Sequence, residues 1–244
     1  MPAIGVLLLL IQIAFAVHVV RTGREIYWIF IIIFLPAIGC LIYFITQVMP
    51  ELGQSRALRN AGSGLAKAID PQRELRRRKE ELAVVDTTEN RVKLAEECIA
   101  AGLATDAIEL LEPCLRGGNE DDPNILLTLA QAQFSAEQYP AARQTMEHLI
   151  AANPLFKSPD GHLLYARTLE ALDLQEQALR EYAVLATSFP GEEARVRYGL
   201  LLQRIGQAEH AREMFTESLD RAKRAPGYYR KKEQQWLKLA KQNL

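Results

Sequence analysis

Apolar residues follow two different rules along this chain of 244 residues. At the N-terminus they run almost unbroken. Residues 4–20 and 26–49 hold no Asp, Glu, Lys or Arg, and only Arg21-Thr22-Gly23-Arg24-Glu25 separates them. From residue 89 onward apolar positions recur at helical spacing with charged residues between, the pattern of helices that bury one stripe. The second of the two N-terminal runs is apolar on every face, which suits a helix in lipid. At about 1.5 Å per residue the two runs reach roughly 25 and 36 Å, against a bilayer core of about 30 Å. The expectation is a transmembrane helical hairpin over residues 1–50. Pro36 and Gly39 predict a kink in its second helix, which a membrane tolerates where neighbours satisfy the freed backbone groups. Tyr27 and Trp28 at one end and Tyr43 near the other are spaced like interfacial anchors. No Lys or Arg precedes the first run, and a second follows at once. The triplet Ala14-Phe15-Ala16 is therefore read as part of an anchor and not as a signal cleavage site.

Lys and Arg set the expected orientation. Arg21 and Arg24 lie in the connection; Arg56, Arg59 and Lys67 follow the second run within about twenty residues. Three against two places the following body in the cytoplasm.

Arg24, Trp28, Ile29, Pro36, Gly39 and Tyr43 recur in the register of a known family. Residues 4–49 resemble the two-helix membrane domain that precedes the catalytic part of bacterial cardiolipin synthases of the phospholipase D type. That resemblance implies a bacterial inner (plasma) membrane anchor. It does not imply the enzyme, whose motif needs a Lys two residues after a His. The residues two after His18, His148, His162 and His210 are Val20, Ile150, Leu164 and Arg212.

The second region repeats. Ala107, Ala142, Ala178 and Ala211 are spaced 35, 36 and 33 residues apart. Twelve residues before each stand Ala95, Ala130, Ala166 and Gly199; four after each stand Leu111, Met146, Tyr182 and Phe215. Pro154 and Pro190 close two units. Small residues allow two helices to approach, and the bulky one fills the groove to the next unit. A period near 34 with this order resembles the tetratricopeptide repeat, a helix hairpin stacked into a solenoid. Four units are expected, over residues 89–116, 123–154, 160–190 and 192–223, with Gly102 and Gly206 in turns. A last helix over 227–243, with Trp236, Leu239 and Ala240 on one stripe, caps the stack. The fold class is thus all-α: a membrane hairpin (1–50), a basic linker with a helix (51–87), and a solenoid with its cap (88–244).

In the linker, Asn60-Ala61-Gly62-Ser63-Gly64 reads as a break and Asp70-Pro71 as a helix start. Arg73, Arg76, Arg77, Arg78 and Lys79 then crowd one stretch. They suit contact with anionic lipid heads, or a solvated face partnered by Glu80 and Glu81.

Charge narrows the function. Residues 87–219 hold 11 Lys and Arg against 21 Asp and Glu, a net −10, while residues 220–244 hold 8 against 2, a net +6. An acidic repeat body argues against nucleic acid as a partner. Cys40, Cys98 and Cys114 show no metal spacing, and Cys98 and Cys114 read as packing residues of unit one. No nucleophile–base pair, phosphate loop or cofactor motif stands out, so an enzyme is not expected.

A binding module remains. The resemblance to tetratricopeptide repeats implies that the first helices of the units line a concave groove for a protein or peptide partner. Glu96, Leu127, Gln131, Phe134, Arg167, Glu170, Leu200, Gln203 and Arg204 are the positions expected to point into it. The Lys and Asn pairs by which some members clamp a terminal carboxylate are missing; Val92, Leu127, Leu163 and Val196 hold one of those positions. The reading is a protein-interaction scaffold tethered to the bilayer. The alternative is an accessory factor of a phospholipid-synthesis or envelope-assembly enzyme, acting through the hairpin. Neither the partner nor an oligomeric state is fixed by these patterns.

Overall fold

The computed structural model describes residues 2–21, 25, 27–48, 70 and 72–244; of these, the side chains of residues 2–8, 10, 37, 45 and 48 are not described. Arg24, Met49, the Asn60–Gly64 break, Pro71 and the basic residues Arg56, Arg59 and Lys67 lie outside the described residues. Every described element is helical. The chain divides into two compact units, 1–73 and 74–244.

The N-terminal unit contains α1 (Pro2–Arg21), α2 (Tyr27–Phe34), α3 (Pro36–Tyr43) and one π-helical turn, Phe44–Val48. The second apolar run is not one kinked helix. Leu35, at φ −125° and ψ 73°, breaks it, and Pro36 opens α3. The Trp28 and Tyr43 rings, fifteen residues apart in sequence, stand 5.3 Å apart between centroids. A straight helix would separate them by about 22 Å, so α3 folds back on α2. Gly39 permits this: a Cβ there would collide with the Ile31 carbonyl.

Pro36 has no N–H to offer the carbonyl four residues back, Ile32. The side chain of Gln12 supplies it, donating from Nε2 to the Ile32 oxygen at 2.7 Å. Val19, Ile32, Cys40 and Tyr43 form the buried centre, and His18 Nδ1 meets the Tyr43 hydroxyl at 2.9 Å. Tyr43 is thus an inward packing residue and not an outward anchor. Phe30, Ile33, Phe34, Ile38 and Leu41 face outward. Among the described residues, no helix is long and apolar enough to cross a membrane; α2 and α3 have eight residues each, and the side chains of α1 are described only at Leu9 and from Ile11 onward.

The second unit is a solenoid. Helix α4 (Arg73–Val84) packs Leu75 and Leu82 against unit one, which is α5 (Thr88–Ala100), α6 (Ala104–Leu111) and a 3₁₀ turn Glu112–Leu115. Then come α7 (Pro123–Ser135) and α8 (Tyr139–Ala152), α9 (Pro159–Ala171) and α10 (Gln175–Ser188), α11 (Glu193–Arg204) and α12 (Ala208–Arg224). The repeat register holds throughout. Ala95, Ala130, Ala166 and Gly199 are buried against Ala107, Ala142, Ala178 and Ala211, and Leu111, Met146, Tyr182 and Phe215 are buried beside them. A Cβ at Gly199 would stand 2.6 Å from the Phe215 ring, so only glycine fits.

Each intra-unit turn repeats one geometry. Gly102, Glu137, Asp173 and Gly206 all take positive φ, between 57° and 84°. The next N–H reaches back to close the turn: Leu103 to the Cys98 carbonyl, Gln138 to Gln133, Leu174 to Leu169, Gln207 to Leu202. This is the left-handed helix stop that favours glycine, imposed on Glu and Asp in the middle units. First helices start on side-chain caps: Thr87 accepts from the Asn90 N–H, Asp122 from Asn124 and Ile125, Ser158 from Gly161. Unit four has no such local cap.

The expected single capping helix is two, α13 (Gly227–Lys232) and α14 (Gln234–Gln242). Glu233 divides them because its carboxylate turns inward, where it accepts the Glu192 N–H at 3.0 Å. It thereby supplies from forty-one residues away the acceptor that unit four lacks. Glu192 and Arg195, both fully buried, pair at 2.8 Å. Arg195 also donates to the Ala186 carbonyl, and Glu192 accepts from the Tyr229 hydroxyl at 2.7 Å.

Candidate functional site

Stacking of first helices α5, α7, α9 and α11 brings part of the expected groove set together. A cavity of 520 Å³ opens across them, with Ile99, Gln131, Phe134, Leu163, Arg167 and Phe189 on its walls. At its centre the Arg167 guanidinium carbon lies 4.7 Å from the Phe134 ring centre. Phe134 stands edge-on to Tyr139, the first residue of α8, at 5.3 Å. The ring is half-buried: one edge packs on its own hairpin while its face lies under Arg167.

Arg167 is poorly neutralised for a residue in this position. Its nearest carboxylate, on Glu193, is 3.9 Å away, and Glu193 already holds Arg197 at 2.8 Å. The Arg167 Nε is buried with no hydrogen-bond partner. Burial, and after it the neighbouring Arg197 charge, hold its pKa below the usual arginine value, partly offset by Glu193. An aromatic face under a guanidinium short of acceptors is suited to a ligand carrying an anionic or carbonyl oxygen beside an apolar group.

Glu170 and Arg204 form an ion pair from α9 to α11, and the Tyr182 hydroxyl of α10 donates to Glu170 at 2.7 Å. Burial first, then the Glu170 charge, push the Tyr182 phenol upward. This pair braces units three and four. Leu127 and Leu200 are half-buried, Gln203 is exposed, and Glu96 stands exposed on α5. Leu127, Glu170, Leu200, Gln203, Arg204 and Glu96 do not line the cavity.

The basic stretch on α4 is partly neutralised along its own helix. Arg77 pairs with Glu74 at 2.9 Å and Glu81 at 3.5 Å, and Arg78 with Glu81 at 2.7 Å. The Arg78 hydrogen bond holds the Glu81 carboxyl below its ordinary range. Arg73, Arg76 and Lys79 are exposed.

Two features escaped the sequence reading. A second cavity, of 700 Å³, lies between second helices α8 and α10, walled by Met146, Leu149, Phe156, Tyr165 and Leu185, with a His162–Glu181 contact of 2.7 Å. Its signal was the connection 153–158, which carries Phe156 where a bare turn would suffice. The buried Glu192–Arg195–Glu233 cluster is the other. Cys98 and Cys114 are free and buried in one core, where burial pushes both thiols upward. Among the described residues, no group of three or more His, Cys, Asp or Glu is placed to hold a metal ion.

Comparison with known proteins bears on the repeats and on the fold. A tetratricopeptide repeat family profile matches residues 99–167. No curated protein matches the chain. Among solved structures, TTC0263, a thermophilic TPR protein in Thermus thermophilus, has a TM-score of 0.57 at 14% identity, covering 75% of this chain and 95% of that one. A crystal structure of MamA has a TM-score of 0.55 at 20% identity, covering 70% of this chain and 96% of that one. At these identities the likeness is one of fold: an all-α solenoid of tetratricopeptide-type hairpins.

Proposed function

We propose that the protein is a non-catalytic scaffold, whose solenoid holds a segment of a protein partner in the groove at Phe134 and Arg167. We propose further that its apolar N-terminal unit seats it in a bacterial inner membrane with the body on the cytoplasmic side. The observation that carries the first part is the under-neutralised Arg167 over the Phe134 face, in a cavity crossed by first helices of successive repeats. Aromatic and Arg residues in such pockets dominate binding energy. The seat is supported by the outward faces of α2 and α3, by the polar groups turned inward, and by the resemblance of residues 4–49 to a membrane anchor. The fold-back at Pro36 suits a unit that dips into one leaflet, with both ends on the body's side.

The test is partner capture from detergent extract by the full chain, by Phe134→Ala with Arg167→Ala, and by a chain lacking residues 1–50. Lost capture in the double variant with unchanged melting supports the groove. Capture lost only with residues 1–50 transfers the interaction to the N-terminal unit. Membrane fractionation of the same chains reads the seat: the truncated chain leaves the membrane pellet, and its retention there removes the seat from the proposal.

A further inference from the structure

The capping element carries a concentrated positive charge that nothing in the solenoid neutralises. Between residues 220 and 244 there are eight Lys and Arg and two acids. Both acids are spent: Asp220 pairs with Lys223 at 2.8 Å, and Glu233 is buried on the Glu192 N–H. Arg221 is drawn in toward Glu192 at 3.4 Å. Among the described residues, Arg230, Lys231, Lys232, Lys238 and Lys241 have no ion pair, and all are exposed.

Their placement follows from how the cap packs. On α14, Trp236, Leu239 and Ala240 face unit four. The opposite face then carries Gln234, Lys238 and Lys241 at helical spacing. On α13, Tyr229 turns in to Glu192, which leaves Tyr228, 77% exposed, beside the three cations. An exposed aromatic among lysines has no packing role here, and it is the residue type that settles at a bilayer interface.

We propose that α13 and α14 form a docking surface for an anionic membrane, made by Arg230, Lys231, Lys232, Lys238, Lys241 and Tyr228. An acidic face on a second copy of this chain is the competing occupant. The body's net −10 over residues 87–219 makes it a real competitor. What favours the bilayer is Tyr228, exposed among the cations, which an acidic protein face does not call for and a lipid interface does. A bilayer offers a continuous field to a rigid basic end. Each basic residue held near an anionic surface raises affinity about fivefold. The inference is independent of both the groove and the N-terminal seat.

Two measurements test it. Residues 74–244 enclose their own cores, from Leu75 to Ala240, and are floated with vesicles of phosphatidylcholine alone or mixed with phosphatidylglycerol. Binding is expected to the mixed vesicles only, to weaken with salt, and to fall about tenfold or more in K231E/K232E/K238E. The full chain in nanodiscs of the same two compositions is then treated with trypsin. Slower cleavage at residues 230–232 in the anionic discs is expected, and the difference between the two compositions should shrink in K238E/K241E, which keeps those cleavage sites. Equal flotation on both lipids with equal cleavage rates overturns the proposal. So does protection that rises with protein concentration and ignores lipid, the outcome of a second copy docking here.

Discussion

Arg167 and Phe134 belong to first helices of neighbouring repeats, and they meet face to charge, with 4.7 Å between the guanidinium carbon and the ring centre. Phe134 is fixed from behind by Tyr139, so the ring does not have to be ordered by a ligand. Arg167 is held over it with one nitrogen lacking an acceptor. The contact therefore leaves recognition capacity unspent.

A double-mutant cycle between the two residues measures how much of this contact is structural. The coupling in thermal or urea unfolding is expected at about 0.5–1 kcal/mol, the range of a partly exposed cation–π pair. Arg167→Ala alone is expected to cost no more than about 1 kcal/mol, through lost packing of its stem. A cost above about 3 kcal/mol would make Arg167 a core residue and take it out of the groove.

Gly199→Ala tests the repeat register. A Cβ there meets the Phe215 ring at 2.6 Å, and that ring is fully buried, so either the ring or α12 must move. The expected loss is about 1–3 kcal/mol. Ala142→Leu, at the matching contact of α7 and α8, is expected to lose a similar amount or more. Unchanged melting in either would mean that the helix pairs do not approach at these positions.

These contacts were legible because small residues recur at one phase of a 34-residue period, and the same period carried Phe134 and Arg167 onto neighbouring first helices. The helix stops were half legible: Gly102 and Gly206 announce them, whereas Glu137 and Asp173 adopt the same positive φ without any compositional sign. What failed to show was long-range. An apolar run with a proline reads equally as a kinked span or as a reversal. The choice is made by Gln12, which satisfies the Ile32 carbonyl, and by Gly39, which lets α3 approach α2. The break at Glu233 is likewise set by Glu192, far away in sequence. Arg204 lies outside the cavity because it is drawn to Glu170, a pairing that a period cannot reveal.

Alkaline pH is expected to weaken the body. Burial, and after it the Glu192 carboxylate, push the Tyr229 phenol up to about 12, and Tyr182 is pushed up by burial and Glu170. In the unfolded chain both titrate near pH 10. Above that value the unfolded chain has released protons that the folded one still holds. Stability is therefore full below about pH 10 and falls as pH rises toward about 12. Urea midpoints across this range should fall less steeply in Tyr229→Phe. An identical slope in Tyr229→Phe and Tyr182→Phe would assign the loss to other groups.

Glu233 is expected to hold the cap to the solenoid. Its carboxylate accepts the N–H that opens unit four, in place of the Thr, Asp or Ser that serves the other three units. It lies within a cluster whose other acid, Glu192, is engaged by Arg195, Arg221 and Tyr229. Glu233→Ala strands a buried N–H and is expected to cost about 1–3 kcal/mol. Glu233→Gln keeps an acceptor oxygen in place and should recover a large share of that loss, which separates the hydrogen bond from side-chain size. Local opening should precede global unfolding, because the cap is bound on one side only. Hydrogen exchange in Glu233→Ala is therefore expected to rise first in α13, α14 and the start of α11, with α7 to α9 still protected. Exchange rising equally across all units would show that Glu233 acts on the whole array and not on its end.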